Sequence, residues 1–197
     1  MTSNNDGIRL ETSSGNTVSS NMITESNGID MWNTTNKGYA IVLLSSSQSI
    51  VTENVGSQSL KDGIHVESSV GNSITKNNVS DNQGGILLLA SSNNQVSDNS
   101  ATNNGDFGVK LDSSSGNTVN SNKVIDDGRY GVYLGASNNN TMSGNDIKNN
   151  NEGVSFGSST NNNFFGNNVR SNVDCSIKFE SSSDKNRIYE NNITKNG

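Results

Sequence analysis

The sequence predicts an all-β chain wound as a right-handed parallel β-helix, a solenoid of about 8 rungs of 22–23 residues with three short strands per rung. Three observations lead there. A G-[IV]-x-L element recurs at fixed intervals, Asn and Ser return at fixed offsets behind it, and no segment carries a sustained helical period.

The first strand is marked by Ile41, Ile64, Ile86, Val109, Val132, Val154 and Ile177, in steps of 22 or 23 residues, with an earlier copy at Ile8. Two residues on stand Leu10, Leu43, Val66, Leu88, Leu111, Leu134, Phe156 and Phe179. Spacing of i, i+2 puts both columns on one face of a strand. The second strand reads as Val18, Ile50, Ile74, Val96, Val119, Met142, Phe164 and Ile188. The third reads as Ile23, Val55, Val79, Ala101, Val124, Ile147, Val169 and Ile193. Rungs so built stack at about 4.8 Å, the ordinary strand spacing.

Polar residues keep the same period. One corner carries Asn16, Gln48, Asn72, Asn94, Asn117, Asn140, Asn162 and Asn186, and the next Asn21, Glu53, Asn77, Asn99, Asn122, Asn145, Asn167 and Asn191. A looser third runs Ser26, Gln58, Asn82, Asn104, Asp127, Asn150, Asn172, Asn196. Stacked asparagines can hydrogen-bond along the axis, and Asn tolerates the left-handed backbone of tight turns. A glycine or other small residue precedes the first strand, as a sharp corner requires.

The consensus G-[IV]-x-L-x-S-S-x-x-N-x-[IV]-x-x-N-x-[IV] resembles the repeat of NosD-type periplasmic proteins and of archaeal and bacterial surface proteins. Pectate-lyase-like carbohydrate enzymes are more distant relatives. The resemblance covers nearly the whole chain and implies the fold. It does not imply one activity, since such repeats serve lyases, hydrolases, epimerases, binding modules and structural surface proteins.

Only 28% of the 197 residues are apolar, a share that by itself suggests disorder, but a β-helix needs only a thin apolar core. An unbroken repeat argues for a single domain over residues 1–197, with Met1 to Asn5 as the tail of a preceding rung. A loop is inserted at about 24–39, where Ile23 and Ile41 stand 18 residues apart; it carries Met31 and the sole tryptophan, Trp32. Prolines are absent, as strands paired on both edges demand. The net charge of −6 argues against a nucleic-acid partner. The lone cysteine, Cys175, has no partner for a disulfide within the chain. Neither a signal peptide nor an apolar span for membrane insertion is evident, and the resembled family is usually exported. The expected location is therefore extracellular or at the cell surface, the chain being a mature or excised segment.

Outward positions of the first strand hold the candidate chemistry. His65 with Glu67, Asp62 and Lys110 is the best cluster for acid–base work on a sugar acid, where a proton acceptor must stand beside a carboxylate-neutralising cation. Trp32, Tyr39, Phe107, Tyr130 and Tyr133 are the candidate ligand-binding residues, because sugar C–H groups pack on aromatic rings. Val42, Leu44, Leu87 and Leu89 break the polar-out rule there and call for cover, by the inserted loop or by a partner. One His and one Cys do not make the usual copper or zinc ligand set; no cofactor is expected, and Ca²⁺ has only the pair Asp126 and Asp127 to recommend it.

The function expected is a noncatalytic extracellular module, a structural surface element, a carbohydrate-binding one or both, with a polysaccharide or surface glycan as partner. Ends without capping helices would let it pair with other copies end to end. The alternative is a polysaccharide lyase, hydrolase or epimerase acting on acidic glycans.

Overall fold

A computed structural model describes residues 6–26, 38–180 and 182–195. The described chain forms three parallel sheets of eight strands each, with rung following rung in register. Ile64 pairs with Ile86, Ile86 with Val109 and Val109 with Val132, so the predicted column is a true stack. These residues and their partners two positions on, Val66, Leu88, Leu111 and Leu134, are almost wholly buried. Met142 and Phe164 from the second sheet and Val124, Ile147 and Val169 from the third complete the core. Each such buried aliphatic or aromatic side chain contributes roughly 1.5–3 kcal/mol.

The second rung departs from the predicted register. Val51, not Ile50, pairs with Val18 and Ile74; it is buried, whereas Ile50 is 45% exposed. One strand later Gly56, not Val55, takes the inward place between Ile23 and Val79. A slip of one residue reverses every side chain, so the polar columns move with it. Ser49, Asn54 and Ser59 occupy the stacks, and Gln48, Glu53 and Gln58 face solvent. A volume exchange explains the glycine. In five other rungs a corner glycine (Gly7, Gly63, Gly108, Gly131 or Gly153) faces a larger residue of the third strand: a Cβ on Gly63 would lie 2.8 Å from Val79. Rung two carries Ala40 at that corner, and a Cβ on Gly56 would meet it at 2.9 Å.

In the buried rungs the asparagine ladders satisfy their amides. Asn99 Oδ1 accepts from Asn77 N–H (2.9 Å) and Asn77 Nδ2 (3.0 Å). Its own Nδ2 donates to Ile74 O (2.9 Å) and to Asn122 Oδ1 (3.0 Å). The ladder residues are not themselves left-handed. The residue just before each one is, as at Lys76 (φ 55°), Asp98 (φ 57°) and Ser121 (φ 57°), which leaves the asparagine free to turn inward. A fourth, serine ladder escaped the sequence reading: the N–H groups of Ser69, Ser91 and Ser114 donate to the hydroxyls of Ser91, Ser114 and Ser137 at 3.0–3.1 Å.

Candidate functional site

The outer face of the first sheet presents three columns, led by Asp62, His65 and Glu67 in rung three. His65 is buried, its Nδ1 2.9 Å from Asp62 Oδ2 and its Nε2 3.3 Å from Glu67 Oε2, and the Tyr39 ring lies 4.4 Å from the imidazole. Rung one repeats this arrangement with an arginine. Arg9 Nη1 meets Asp6 Oδ2 at 3.2 Å and Arg9 Nε meets Glu11 Oε2 at 3.1 Å. The two segments, Asp6-Gly7-Ile8-Arg9-Leu10-Glu11 and Asp62-Gly63-Ile64-His65-Val66-Glu67, are one sequence element, in which His65 stands where Arg9 stands. Both nitrogens of His65 face carboxylates, so it has no free lone pair turned toward a ligand.

His65→Arg should therefore hold the melting temperature within about 2 °C, whereas His65→Ala, which strands the buried Asp62 carboxylate, should lower it by roughly 5 °C. Thermal denaturation monitored by circular dichroism reads both. Equal losses in the two variants would refute the ion-pairing role.

Lys110, placed in the same cluster from sequence, stands two rungs away with Leu87 between it and His65. It belongs instead to a shallow cleft of about 380 Å³ lined by Lys110, Asp112, Tyr133, Gly135, Gly157 and Glu180. Two glycines make the cleft. A Cβ on Gly135 would come within 2.9 Å of the Tyr133 ring, and one on Gly157 within 2.8 Å of its hydroxyl. Lys110 Nζ lies 5.5 Å from the centre of the Tyr133 ring and 3.5 Å from Asp112 Oδ2. Past the cleft, Lys178 Nζ bonds Glu152 Oε1 at 2.7 Å and approaches Glu180 Oε1 at 3.7 Å. Glu152 Oε2 and the hydroxyl of Ser155 are buried without a hydrogen-bond partner in the strand Glu152–Gly157, which also carries Gly157 of the cleft.

Burial, with smaller contributions from the Glu180 and Asp112 charges, holds the Tyr133 phenol above its ordinary range, so it remains a neutral donor. The hydrogen bond to Glu152 raises Lys178 and keeps it an ammonium. Burial and the nearby Glu152 raise Cys175, which is thereby a thiol and not a nucleophilic thiolate.

Of the other aromatic candidates, Tyr39, Phe107 and Tyr130 are 5–8% exposed and turn little ring face to solvent. Phe107 reaches back over Gly84, where a Cβ would meet its ring at 2.3 Å. Trp32 and Met31 lie outside the described residues. Of the apolar outward group, Val42 is buried and Leu44, Leu87 and Leu89 are half-buried. Gly135, Gly157 and Glu180 were not singled out as site residues from the sequence. The available signal was a pair of glycines in a column otherwise held by Glu, Asp and Leu.

Fold and face together define a protein of the right-handed parallel β-helix class. The chain belongs to the periplasmic copper-binding protein (NosD) family, whose sequence profile matches residues 1–106 and 27–197. No curated protein matches the sequence significantly. Among solved structures, the periplasmic alginate epimerase AlgG superposes with a TM-score of 0.77 at 21% identity, over 95% of this chain and 47% of that one. The enzymatically active domain of bacteriophage CBA120 tailspike protein 2 follows at 0.66 and 10%, over 97% and 35%. The A-module of Azotobacter vinelandii mannuronan C-5 epimerase AlgE4 gives 0.59 and 14%, over 80% and 59%. At these identities the likeness is one of fold, and the chain spans about half the length of the alginate epimerase.

The donor set does not fit the copper of the family's description. His65 is committed to two carboxylates, and no group of three or more His, Cys, Asp or Glu converges among the described residues. Asp126 and Asp127 do not converge on a cation either: Asp126 is exposed, and Asp127 is buried in the third ladder with Oδ1 accepting from Asn104.

Proposed function

We propose that this protein is a carbohydrate-binding β-helix module, resident in the periplasm or outside the cell, that holds an acidic polysaccharide along the outer face of its first sheet. The carrying observation is the cleft in which glycines bare one half-buried tyrosine between Lys110 and Asp112 on one side and Glu180 on the other. A sugar ring stacks on Tyr133, a uronate carboxylate meets Lys110, and ring hydroxyls donate to Asp112 and Glu180. The raised phenol of Tyr133 and the pairing of His65 favour binding over proton abstraction, which wants a free base titrating near neutrality. The epimerases among the structural neighbours motivate the choice of uronan.

Calorimetric titration with oligomannuronate, oligoguluronate and oligogalacturonate, against a neutral glucan, tests the proposal. Binding to at least one uronan is expected, with Tyr133→Ala weakening it about tenfold or more, as loss of a stacked aromatic does. No binding, or full affinity in Tyr133→Ala, would overturn it. Appearance of unsaturated ends, shorter chains or inverted C5 centres in the same mixtures would replace it with the catalytic alternative.

A further inference from the structure

The third-corner ladder contains one acid. In the rungs around it, each amide nitrogen has two acceptors. Asn82 Nδ2 donates to Gly56 O at 3.0 Å and Asn104 Oδ1 at 3.2 Å, and Asn150 Nδ2 donates to Val124 O at 3.3 Å and Asn172 Oδ1 at 3.1 Å. Asp127 occupies the rung between Asn104 and Asn150. Its Oδ1 does the work of an asparagine oxygen, accepting from Asn104 N–H and Nδ2, each at 2.9 Å. Its N–H donates to Asn150 Oδ1 at 2.9 Å.

Oδ2 therefore stands where the stack places a donor. By the repeat, the two groups awaiting it are Ala101 O and Asn150 Oδ1, both acceptors. Oδ2 is buried with no hydrogen-bond partner, and a Cβ on Gly108 would lie 2.4 Å from it, so the slot is closed by backbone. An ionised carboxylate there would face carbonyl oxygens with neither water nor a donor, an expensive arrangement.

We infer that Asp127 is held as a neutral carboxylic acid whose O–H replaces the asparagine N–H in the ladder, making this corner a pH-sensitive joint of the solenoid. The surrounding charges support this. Burial is the largest influence and pushes the acid up to about 7, the Asn104 hydrogen bonds oppose it, and the exposed Asp126 carboxylate of the same turn reinforces it. No cation faces the slot from the strands packed on it. Lys123 and Lys148 flank the inward Val124 and Ile147 on the solvent side, as does Asp146, and Lys110 and Asp112 lie on the outer face of the first sheet.

The sign follows from linkage. An acid whose folded value exceeds its unfolded one binds more protons when folded, so its rising ionisation weakens the fold between about pH 4 and pH 7 and adds no further loss above. Asp127→Asn restores the ordinary ladder and removes that pH dependence. Chemical denaturation of both proteins from pH 4 to pH 8.5 should show the wild-type folding constant, relative to the variant's, falling by up to about tenfold per pH unit within that window and then levelling. In parallel, ¹³C-aspartate labelling should show one carboxyl resonance, absent in Asp127→Asn, that titrates well above the others. Parallel stability curves, or no displaced resonance, would overturn the inference. It stands independently of glycan binding.

Discussion

Asn99→Ala should lower stability by roughly 3–5 kcal/mol, read as a shift in the urea midpoint. The substitution deletes the oxygen that accepts both Asn77 N–H and Asn77 Nδ2, leaving two donors buried, at about 1–3 kcal/mol each. It also removes the donor to Ile74 O and Asn122 Oδ1. The neighbouring Asp98 supplies the control: it is exposed and left-handed at φ 57°, so Asp98→Gly should change stability by less than about 0.5 kcal/mol. If Asn99→Ala melted like the wild type, the amide ladder would be no more than decoration on a hydrophobic core.

Gly85→Ala carries the other large expectation. A Cβ there would stand 2.2 Å from Gly108 O and 3.0 Å from its carbonyl carbon. Both atoms belong to a backbone locked by strand pairing on both edges, between Gly84–Leu89 and Tyr130–Gly135. Relief requires two rungs to separate at the corner, and roughly 3 kcal/mol or more is expected from overpacking against an atom that cannot rotate away. Gly71 separates this effect from glycine's freedom of φ. It is left-handed at φ 69° with nothing within 4 Å of its missing Cβ, so Gly71→Asn should be close to neutral. Equal losses at the two sites, in a thermal melt, would mean that conformation and not space is what the corner glycines provide.

The sequence alone revealed the period, the inward columns of the first sheet and most of the ladders, because stacking forces like onto like every 22–23 residues. It misled where two apolar residues stood side by side. Ile50 and Val51 fit the second column equally well, and an inward glycine at Gly56 hides a column that hydrophobicity alone traces. Volume matching against Ala40 is what settles that rung, and volume is visible only across strands. The candidate site was half legible for the same reason. Lys110 and Tyr133 were named, but outward residues of different rungs are related by register and burial, which sorted the exposed Tyr133 cleft from the buried Tyr39, Phe107 and Tyr130. His65 was conspicuous for being unique, whereas its neighbours show that it fills a place that an arginine fills in rung one.

The ladders have one more physical effect. In each amide stack Oδ1 is turned toward the preceding rung, as in the run Asn54, Asn77, Asn99, Asn122, Asn145. The three strands of a rung run around the rod, so their dipoles lie across it and largely cancel, but these side-chain carbonyls all point one way along it and add like the peptide units of a helix. The solenoid is thereby electrically polarised along its length, with its negative pole toward the first rung. A charged polymer lying lengthwise on it would be drawn toward one end of the rod.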